Sequence, residues 1–146
     1  MTDIFATRRQ RVLDRLGDTG VLVLAASPEL VIGRDAELRY VVDSELYYLT
    51  GYTEPEAVMV LGGASADSRY TLFVRPRDEA RELWTGPRGG VEAAREQFGA
   101  DVAHSITDLP EKMPPLLQTA DSLYARMGTG RPEVDAALQR ALADAR

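Results

Sequence analysis

The sequence predicts a single α/β domain in which helices cover a mixed β-sheet. Short apolar runs of strand length alternate with amphipathic segments of helical length, and the whole chain has 146 residues. Helices and strands that alternate in this way typically form layered α/β structures. A chain of this length builds one domain, and its 45% of apolar residues are enough for a core. We therefore treat residues 1–146 as one domain, with no sequence feature that marks an internal linker.

The predicted elements follow from the spacing of the apolar residues. Residues 4–16 have one apolar stripe at helical spacing, and Thr2 or Asp3 can cap the first turn. The run 21–25 is apolar without alternation, which is typical of a strand that is buried on both faces. Further predicted strands cover residues 29–33, 56–61, 70–74, 101–103 and 122–125, and further predicted helices cover 43–49, 77–84, 91–98, 106–117 and 132–145.

Two details of this assignment can be checked in the structure. The strands over 56–61 and 70–74 flank a Gly-, Ser- and Asp-rich turn, so they should form a hairpin. Pro114 and Pro115 stand inside the helix predicted over 106–117. Proline lacks the backbone N–H that a helix needs, so this pair should kink or break that helix.

Composition excludes several classes of protein. The chain has no cysteine, which removes disulfides and thiolate metal sites and is compatible with the cytoplasm. Its net charge of −6 argues against nucleic-acid binding, which needs a basic surface. Its apolar runs are far shorter than the about 20 residues of a transmembrane helix, and the N-terminus does not resemble a signal peptide.

Few residues can support catalysis or metal binding in this chain. His104 is the only histidine, and its spacing from Asp101 gives at best two metal ligands, so we interpret it as a loop histidine. Ser65 lies in a turn that lacks the second glycine of a nucleophile elbow. The Gly128-Thr-Gly130 sequence lacks the remaining residues of a phosphate-binding motif, so we favour a plain turn. The clustered carboxylates are interpreted as solvated faces and partners of arginine.

Aromatic and arginine residues are the better candidates for a binding surface. Trp84 is the sole tryptophan, and it is either a core anchor or part of a binding site at a loop mouth. Arg88 lies in the Gly-rich sequence Gly86-Pro-Arg-Gly-Gly90 and could bind a carboxylate. Three tyrosines cluster around Gly51 among acidic residues, and for these we prefer a packing role: Tyr47, Tyr48 and Tyr52.

Two segments, 43–58 and 72–95, together carry a family resemblance. Their order of motifs resembles that of the N-terminal domain of the aminopeptidase P family, the Xaa-Pro peptidases. The matching motifs are Asp43-Ser, the pair Tyr47-Tyr48, Thr50-Gly51, Glu54-Pro-Glu-Ala57, Arg77-Asp78 and Trp84-Thr-Gly86. The resemblance covers nearly the whole chain, and it implies a mixed sheet with flanking helices.

The resemblance also implies a larger parent protein. In this family a C-terminal part with the pita-bread fold binds two divalent metals, commonly manganese, through aspartates, glutamates and a histidine. These metals activate a water that hydrolyses an Xaa–Pro bond. The chain has no counterpart of that part, so we expect neither catalytic residues nor metal ligands in residues 1–146.

By the same resemblance, the domain is expected to contribute to oligomer assembly and to substrate access. Its expected partners are its own C-terminal catalytic domain, neighbouring subunits of a homo-oligomer and, through the parent, a proline-containing peptide. Trp84 matches a tryptophan that approaches the substrate site in some members of the family. The candidates for residues that shape substrate access are therefore Trp84, Arg88, Arg77 and Tyr48.

Two other hypotheses remain open from the sequence. The chain could be a free-standing module that binds a peptide or a small ligand with the same fold, because fold alone does not fix function. It could also be an independent hydrolase that uses His104, which the shortage of partner residues disfavours.

Overall fold

Alternating helices and strands build the part of the chain that the computed structural model describes, residues 3–27, 31–32, 36–37, 43–63, 65, 67–126 and 131–144. The first half contains α1 (Ile4–Leu16), β1 (Gly20–Ala25), β2 (Val31–Ile32), β3 (Ala36–Glu37), α2 (Ser44–Thr50), β4 (Val58–Gly62) and β5 (Tyr70–Val74). The second half contains α3 (Glu79–Thr85), α4 (Gly90–Glu96), β6 (Val102–Ser105), a 3₁₀ turn (Ile106–Asp108), α5 (Leu109–Gln118), β7 (Ser122–Ala125) and α6 (Pro132–Asp144).

Five of the strands form one mixed sheet in the order β6-β5-β4-β1-β7. The three central strands pair antiparallel, and the predicted hairpin is present as β4 and β5, with Val58 opposite Phe73. Each edge strand, β6 and β7, pairs parallel with its neighbour. Strands β2 and β3 form a separate two-stranded sheet. The predicted fold class, a mixed sheet flanked by helices, is confirmed.

Two hydrophobic cores lie on opposite faces of the sheet, because successive side chains of a strand point to opposite sides. In β4, Met59 and Leu61 pack with residues of α1, α2 and α4, whereas Val58 and Val60 pack with residues of α5 and α6. All residues of β4 and β5 are buried. This double coverage explains why the central strands have continuous apolar sequences.

Of the kink or break predicted at the proline pair, the break does not occur. Helix α5 runs without interruption from Leu109 to Gln118 through Pro114 and Pro115. The two prolines remove at most two helical hydrogen bonds. Three side chains on the opposite stripe, Leu109, Met113 and Leu117, are buried against the sheet and α6, and their burial offsets that loss.

The other predicted elements agree with the structure to within a few residues at their ends. Asp3 caps α1, because its carboxylate accepts hydrogen bonds from the Phe5 and Ala6 backbone N–H groups at 2.9 and 3.3 Å. The strand predicted over 29–33 is present only as β2, and its remaining residues lie outside the described part of the chain. Gly128-Thr-Gly130 also lies outside it. Within the described ranges, no helix has the length and apolar character needed to cross a bilayer.

Candidate functional site

A cleft of about 410 Å³ lies where β5 leads into α3. Most of its wall comes from the β5–α3 connection, from α3 itself and from the loop between α3 and α4. The turn before β4 and the 3₁₀ turn after β6 complete it. Its charged lining consists of four arginines and two acids: Arg75, Arg77, Arg81, Arg88, Glu56 and Asp78.

The Glu82 carboxylate fixes the geometry of the cleft wall from within α3. Its oxygens accept hydrogen bonds from the backbone N–H of Arg88 at 2.7 Å and of Asp78 at 3.2 Å. The Arg77 Nε lies 3.5 Å from the same carboxylate, whose side chain is only 9% exposed. The part-buried Glu82 carboxylate therefore ties the start of α3 to the loop that follows it.

A second carboxylate holds the other side of that loop. Glu54 accepts a hydrogen bond from the Gly89 N–H at 3.2 Å and pairs with the Arg75 Nη2 at 3.4 Å. The sequence interpretation correctly gave such acids arginine partners, but it missed the role of Glu54 and Glu82 in holding a loop. The available signal was the Asp78–Glu82 spacing, which resembles a capping box extended by one residue.

Arg88 differs from the other arginines of the cleft in its contacts. Among the described residues, Arg75, Arg77 and Arg81 pair with Glu54, Glu82 and Asp78 respectively, whereas Arg88 forms no ion pair. One Arg88 Nη1 donates to the Pro76 carbonyl at 3.4 Å. The Arg88 Nε is buried, and no described group accepts its hydrogen bond. An unsatisfied buried donor costs about 1–3 kcal/mol, more when it is charged.

Glu56 also lines the cleft, from a backbone conformation that is rare for its residue type. Its φ is 67°, the one left-handed non-glycine residue found in the described part of the chain. Such a conformation costs on the order of 1–3 kcal/mol and is common at binding sites. The turn Glu54-Pro-Glu-Ala57 thus places the Glu54 carboxylate against the loop between α3 and α4, and the Glu56 carboxylate at the cleft.

The Glu82 contacts predict a specific pH dependence of stability. The hydrogen bond from the Arg88 N–H and the charge of Arg77 hold the pKa of Glu82 below its ordinary value, although burial acts against them. A lowered pKa in the folded state means that the carboxylate stabilises the protein above its ordinary pKa, about 4.3. This stabilisation is lost as the pH falls through the lowered value.

We therefore expect Glu82→Gln to lower the melting temperature at pH 7, with a deficit that shrinks toward zero near pH 3. Thermal denaturation followed by circular dichroism at both pH values measures this difference. Glu79→Gln, on the same helix but exposed, is the matched control and should change little. A Glu82→Gln deficit that is equal at both pH values would show that the carboxylate charge is not what holds the loop.

Trp84 is a surface residue, so the core-anchor alternative for it is wrong. Its side chain is 90% exposed, and that of the preceding Leu83 is 86% exposed, both at the C-terminal end of α3. Side chains of this size at such exposure form an apolar surface that a partner or ligand can cover. Trp84 is not among the residues that line the arginine cleft, although Arg81 and Arg88 flank it in sequence.

The structure does not bring Tyr48 to the cleft. Tyr48 lines a separate apolar groove between α1, β1 and α2, together with Val12, Leu22 and Leu24. The Arg8 guanidinium carbon lies 4.1 Å from the Tyr48 ring centroid. Of the four candidates for substrate access, Arg77 and Arg88 are thus in the cleft, Trp84 is on an adjoining helix end and Tyr48 is elsewhere.

The other two tyrosines of the predicted cluster pack against aromatic neighbours. Tyr52 is buried, with its ring centroid 4.9 Å from that of Phe98. The Tyr47 ring meets the edge of Phe5 at 5.8 Å. The predicted packing role describes Tyr52 well, whereas Tyr47 packs on one side only and is 45% exposed.

His104 lies on the edge strand β6 and not in a loop as the sequence suggested, since residues 102–105 extend the sheet. Its ring centroid is 5.4 Å from that of Phe73, and partial burial lowers its pKa. Asp101 is engaged elsewhere, because its carboxylate accepts the Tyr70 N–H at 3.0 Å. Within the described residues, no hydrogen bond joins His104 to a hydroxyl group.

The described side chains do not offer a ligand set for the metals that the family resemblance implies. No group of three or more histidine, cysteine, aspartate or glutamate side chains converges in the ranges that the structure covers. Three carboxylates in and around the cleft, those of Glu54, Asp78 and Glu82, already bind arginines or backbone N–H groups.

Comparison with known proteins places this geometry in a family. Residues 5–124 match the family model "Aminopeptidase P, N-terminal domain". The Xaa-Pro aminopeptidase of Escherichia coli (strain K12) is 34% identical over 125 residues, which make up 85% of this chain and 28% of that protein. The corresponding protein of Haemophilus influenzae is 33% identical over 120 residues, 82% of this chain and 28% of that protein. The chain thus spans well under a third of these relatives.

Solved structures lead to the same family. The chain superimposes on the Pseudomonas aeruginosa aminopeptidase PepP with a TM-score of 0.85 and 38% identity, over 95% of this chain and 31% of that one. Proline aminopeptidase P II from Yersinia pestis gives a TM-score of 0.84 at 32% identity, over 98% of this chain and 33% of that one. By sequence and by fold, the chain belongs to the aminopeptidase P N-terminal domain family.

Proposed function

We propose that this chain acts as the non-catalytic N-terminal domain of an Xaa-Pro metallopeptidase, whose parent protein removes an N-terminal residue that precedes proline. The proposal is supported by the share of the relatives that the chain spans, which leaves most of their length for a catalytic part. It is also supported by the absence of a metal-ligand cluster among the described side chains. A manganese pair in the catalytic part and a cytoplasmic location remain predictions.

The observation that carries a role for this domain is the exposure of Trp84. A tryptophan that is 90% exposed at a helix end buries a large apolar area when a partner or a peptide covers it. Glu54 and Glu82 accept hydrogen bonds from the loop that follows α3, so Trp84 directly precedes a loop that is held at two points. We propose that Trp84 faces the substrate site of the assembled enzyme, with Arg77 and Arg88 on the same side.

We further propose that the domain contributes to oligomer assembly. The apolar groove between α1, β1 and α2 supports this role, since Leu22 and Leu24 of the sheet line it beside the half-exposed Tyr48. On the edge strand β7, Tyr124 is also 55% exposed. Contact with a neighbouring subunit or with the catalytic domain would remove this apolar surface from water.

A domain exchange tests the proposal. The N-terminal domain of the Escherichia coli Xaa-Pro aminopeptidase is replaced by this chain, and hydrolysis of an Xaa–Pro peptide is measured alongside the oligomeric state. We expect an active enzyme in which Trp84→Ala lowers kcat/KM about tenfold or more, since burying an aromatic side chain is worth roughly 1.5–3 kcal/mol. This chain alone, supplied with divalent metal, should hydrolyse nothing.

The matched control is Leu142→Ala, which removes an apolar side chain that is 55% exposed on α6, on the far side of the sheet from α1 and α2. It should leave kcat/KM unchanged. The proposal fails if the exchanged enzyme assembles normally and its activity is insensitive to Trp84→Ala. It also fails if the isolated chain cleaves an Xaa–Pro peptide.

The second candidate function is a free-standing module that binds a peptide or small ligand. The arginine-lined cleft is the observation that favours this candidate, because residues of this chain form the cleft without a second domain. A native reading frame with no peptidase sequence downstream of Arg146 would support this candidate over the first.

A further inference from the structure

The Arg88 guanidinium is a cation that the described part of the chain leaves without a carboxylate partner. Its Nε is buried without an acceptor, and its one hydrogen bond, to the Pro76 carbonyl, is long at 3.4 Å. Its backbone is nevertheless fixed, because Glu82 accepts the Arg88 N–H at 2.7 Å. The arginine is thus held at the cleft by its main chain, while its guanidinium has no carboxylate partner and only one long hydrogen bond among the described residues.

The charge balance of the cleft narrows the class of ligand. Three of its arginines are paired with Glu54, Glu82 and Asp78, which leaves Arg88 as a positive charge and Glu56 as a negative charge. A dianion such as phosphate would be repelled by Glu56 and would find only one arginine without a carboxylate partner. A singly charged group needs one such arginine, and a planar carboxylate matches the fork of a guanidinium.

We propose that this cleft is a binding site for a carboxylate group, with the Arg88 side chain as the main contact. The cleft, at about 410 Å³, is large enough for the carboxylate and the residue that bears it. A carboxylate offers acceptors to the Arg88 Nη groups, whose hydrogen bond to the Pro76 carbonyl is long at 3.4 Å. The Glu56 carboxylate also lines the cleft, and it opposes a dianion more strongly than a monoanion.

The carboxylate can come from the C-terminus of a peptide or from an acidic side chain. Three probes distinguish these sources from each other and from a non-ionic contact. They are N-acetyl-alanyl-alanine with a free carboxylate, the same dipeptide as its C-terminal amide, and N-acetyl-aspartate amide. Each is titrated into this chain while the backbone amide signals of Arg88 and Gly89 are followed by NMR.

We expect saturable shifts with the dipeptide acid and at least tenfold weaker binding of the dipeptide amide. Arg88→Gln keeps the backbone N–H that Glu82 holds, and it should weaken binding of the acid by about tenfold or more. Glu56→Gln removes the opposing charge and should tighten it. Arg140→Gln, an exposed arginine on α6, is the matched control and should change nothing. Tighter binding of N-acetyl-aspartate amide would identify a side-chain carboxylate as the source.

Three results would overturn the proposal. The first is equal affinity of the dipeptide acid and the dipeptide amide, and the second is a folded Arg88→Gln variant that binds the acid as tightly as the unmodified chain does. Inorganic phosphate could also bind more tightly than the acid. Because the titration uses this chain alone, failure here leaves the domain-exchange experiment and its outcome untouched.

Discussion

Replacing Gly62 by alanine should lower the free energy of unfolding by about 4 kcal/mol, the sum of backbone strain and steric overlap. Gly62 is the last residue of β4 and has a φ of 108°, a conformation that L side chains rarely adopt. An added Cβ would also overlap the backbone carbonyl oxygen of Gly20 on β1. Because β1 and β4 are central strands, relief of this overlap must separate them and open both cores.

A substitution at the neighbouring Gly63 separates the backbone strain from the steric overlap. Gly63 has a similar φ of 101°, but an added Cβ there would meet no atom within 4 Å. Gly63→Ala should therefore carry only the strain, on the order of 1–3 kcal/mol. Urea denaturation of both variants, followed by far-ultraviolet circular dichroism, gives the comparison. Equal losses would mean that the close approach of β1 and β4 is not what requires glycine at 62.

The elements that the sequence predicted best are those whose pattern is local. Strands β5 and β7 and helix α1 begin and end at the predicted residues, since each is a short apolar run or a full amphipathic stripe between turn residues. The double proline in α5 misled the local prediction. Burial of Leu109, Met113 and Leu117 is a tertiary effect, and it decides the outcome over the loss of helical hydrogen bonds.

The candidate site was predictable only in part, for the same reason. Arg77, Arg88 and Trp84 lie within one short segment, and a family resemblance is enough to single them out. Of the two carboxylates that hold their loop, Glu82 has a local signal in its spacing from Asp78, whereas Glu54 has none. Glu54 contacts Gly89 across 35 positions of the chain, a pairing that only the folded sheet brings together.

Arg9 illustrates a signal that was present in the sequence but was not used. Positions 5, 9, 12, 13 and 16 share one face of α1, so spacing alone places Arg9 on the apolar stripe. In the structure Arg9 is 7% exposed. Its guanidinium carbon lies 4.2 Å from the Tyr70 ring centroid, and its Nη1 donates to the Leu49 carbonyl at 2.9 Å.

Because of these contacts, Arg9→Met is the second substitution with a large expected effect. It should lower the free energy of unfolding by about 2–4 kcal/mol, since it removes a hydrogen bond from a charged donor and a cation–π contact. Methionine keeps an unbranched apolar stem, so the loss does not come from a large cavity. Arg11→Met removes a charge from an exposed position of the same helix and should change stability by less than about 0.5 kcal/mol. Urea denaturation again provides the measurement.

The effect should extend beyond stability to the position of α2. Arg8 and Arg9 donate to the carbonyls of Tyr48 and Leu49, which belong to the last turn of α2 and lack helical partners. Helix α1 thus caps α2 through two consecutive arginines, and the apolar groove lies between the two helices. If Arg9→Met and Arg11→Met have the same urea midpoint, the buried Arg9 guanidinium does not stabilise the fold and does not join these helices.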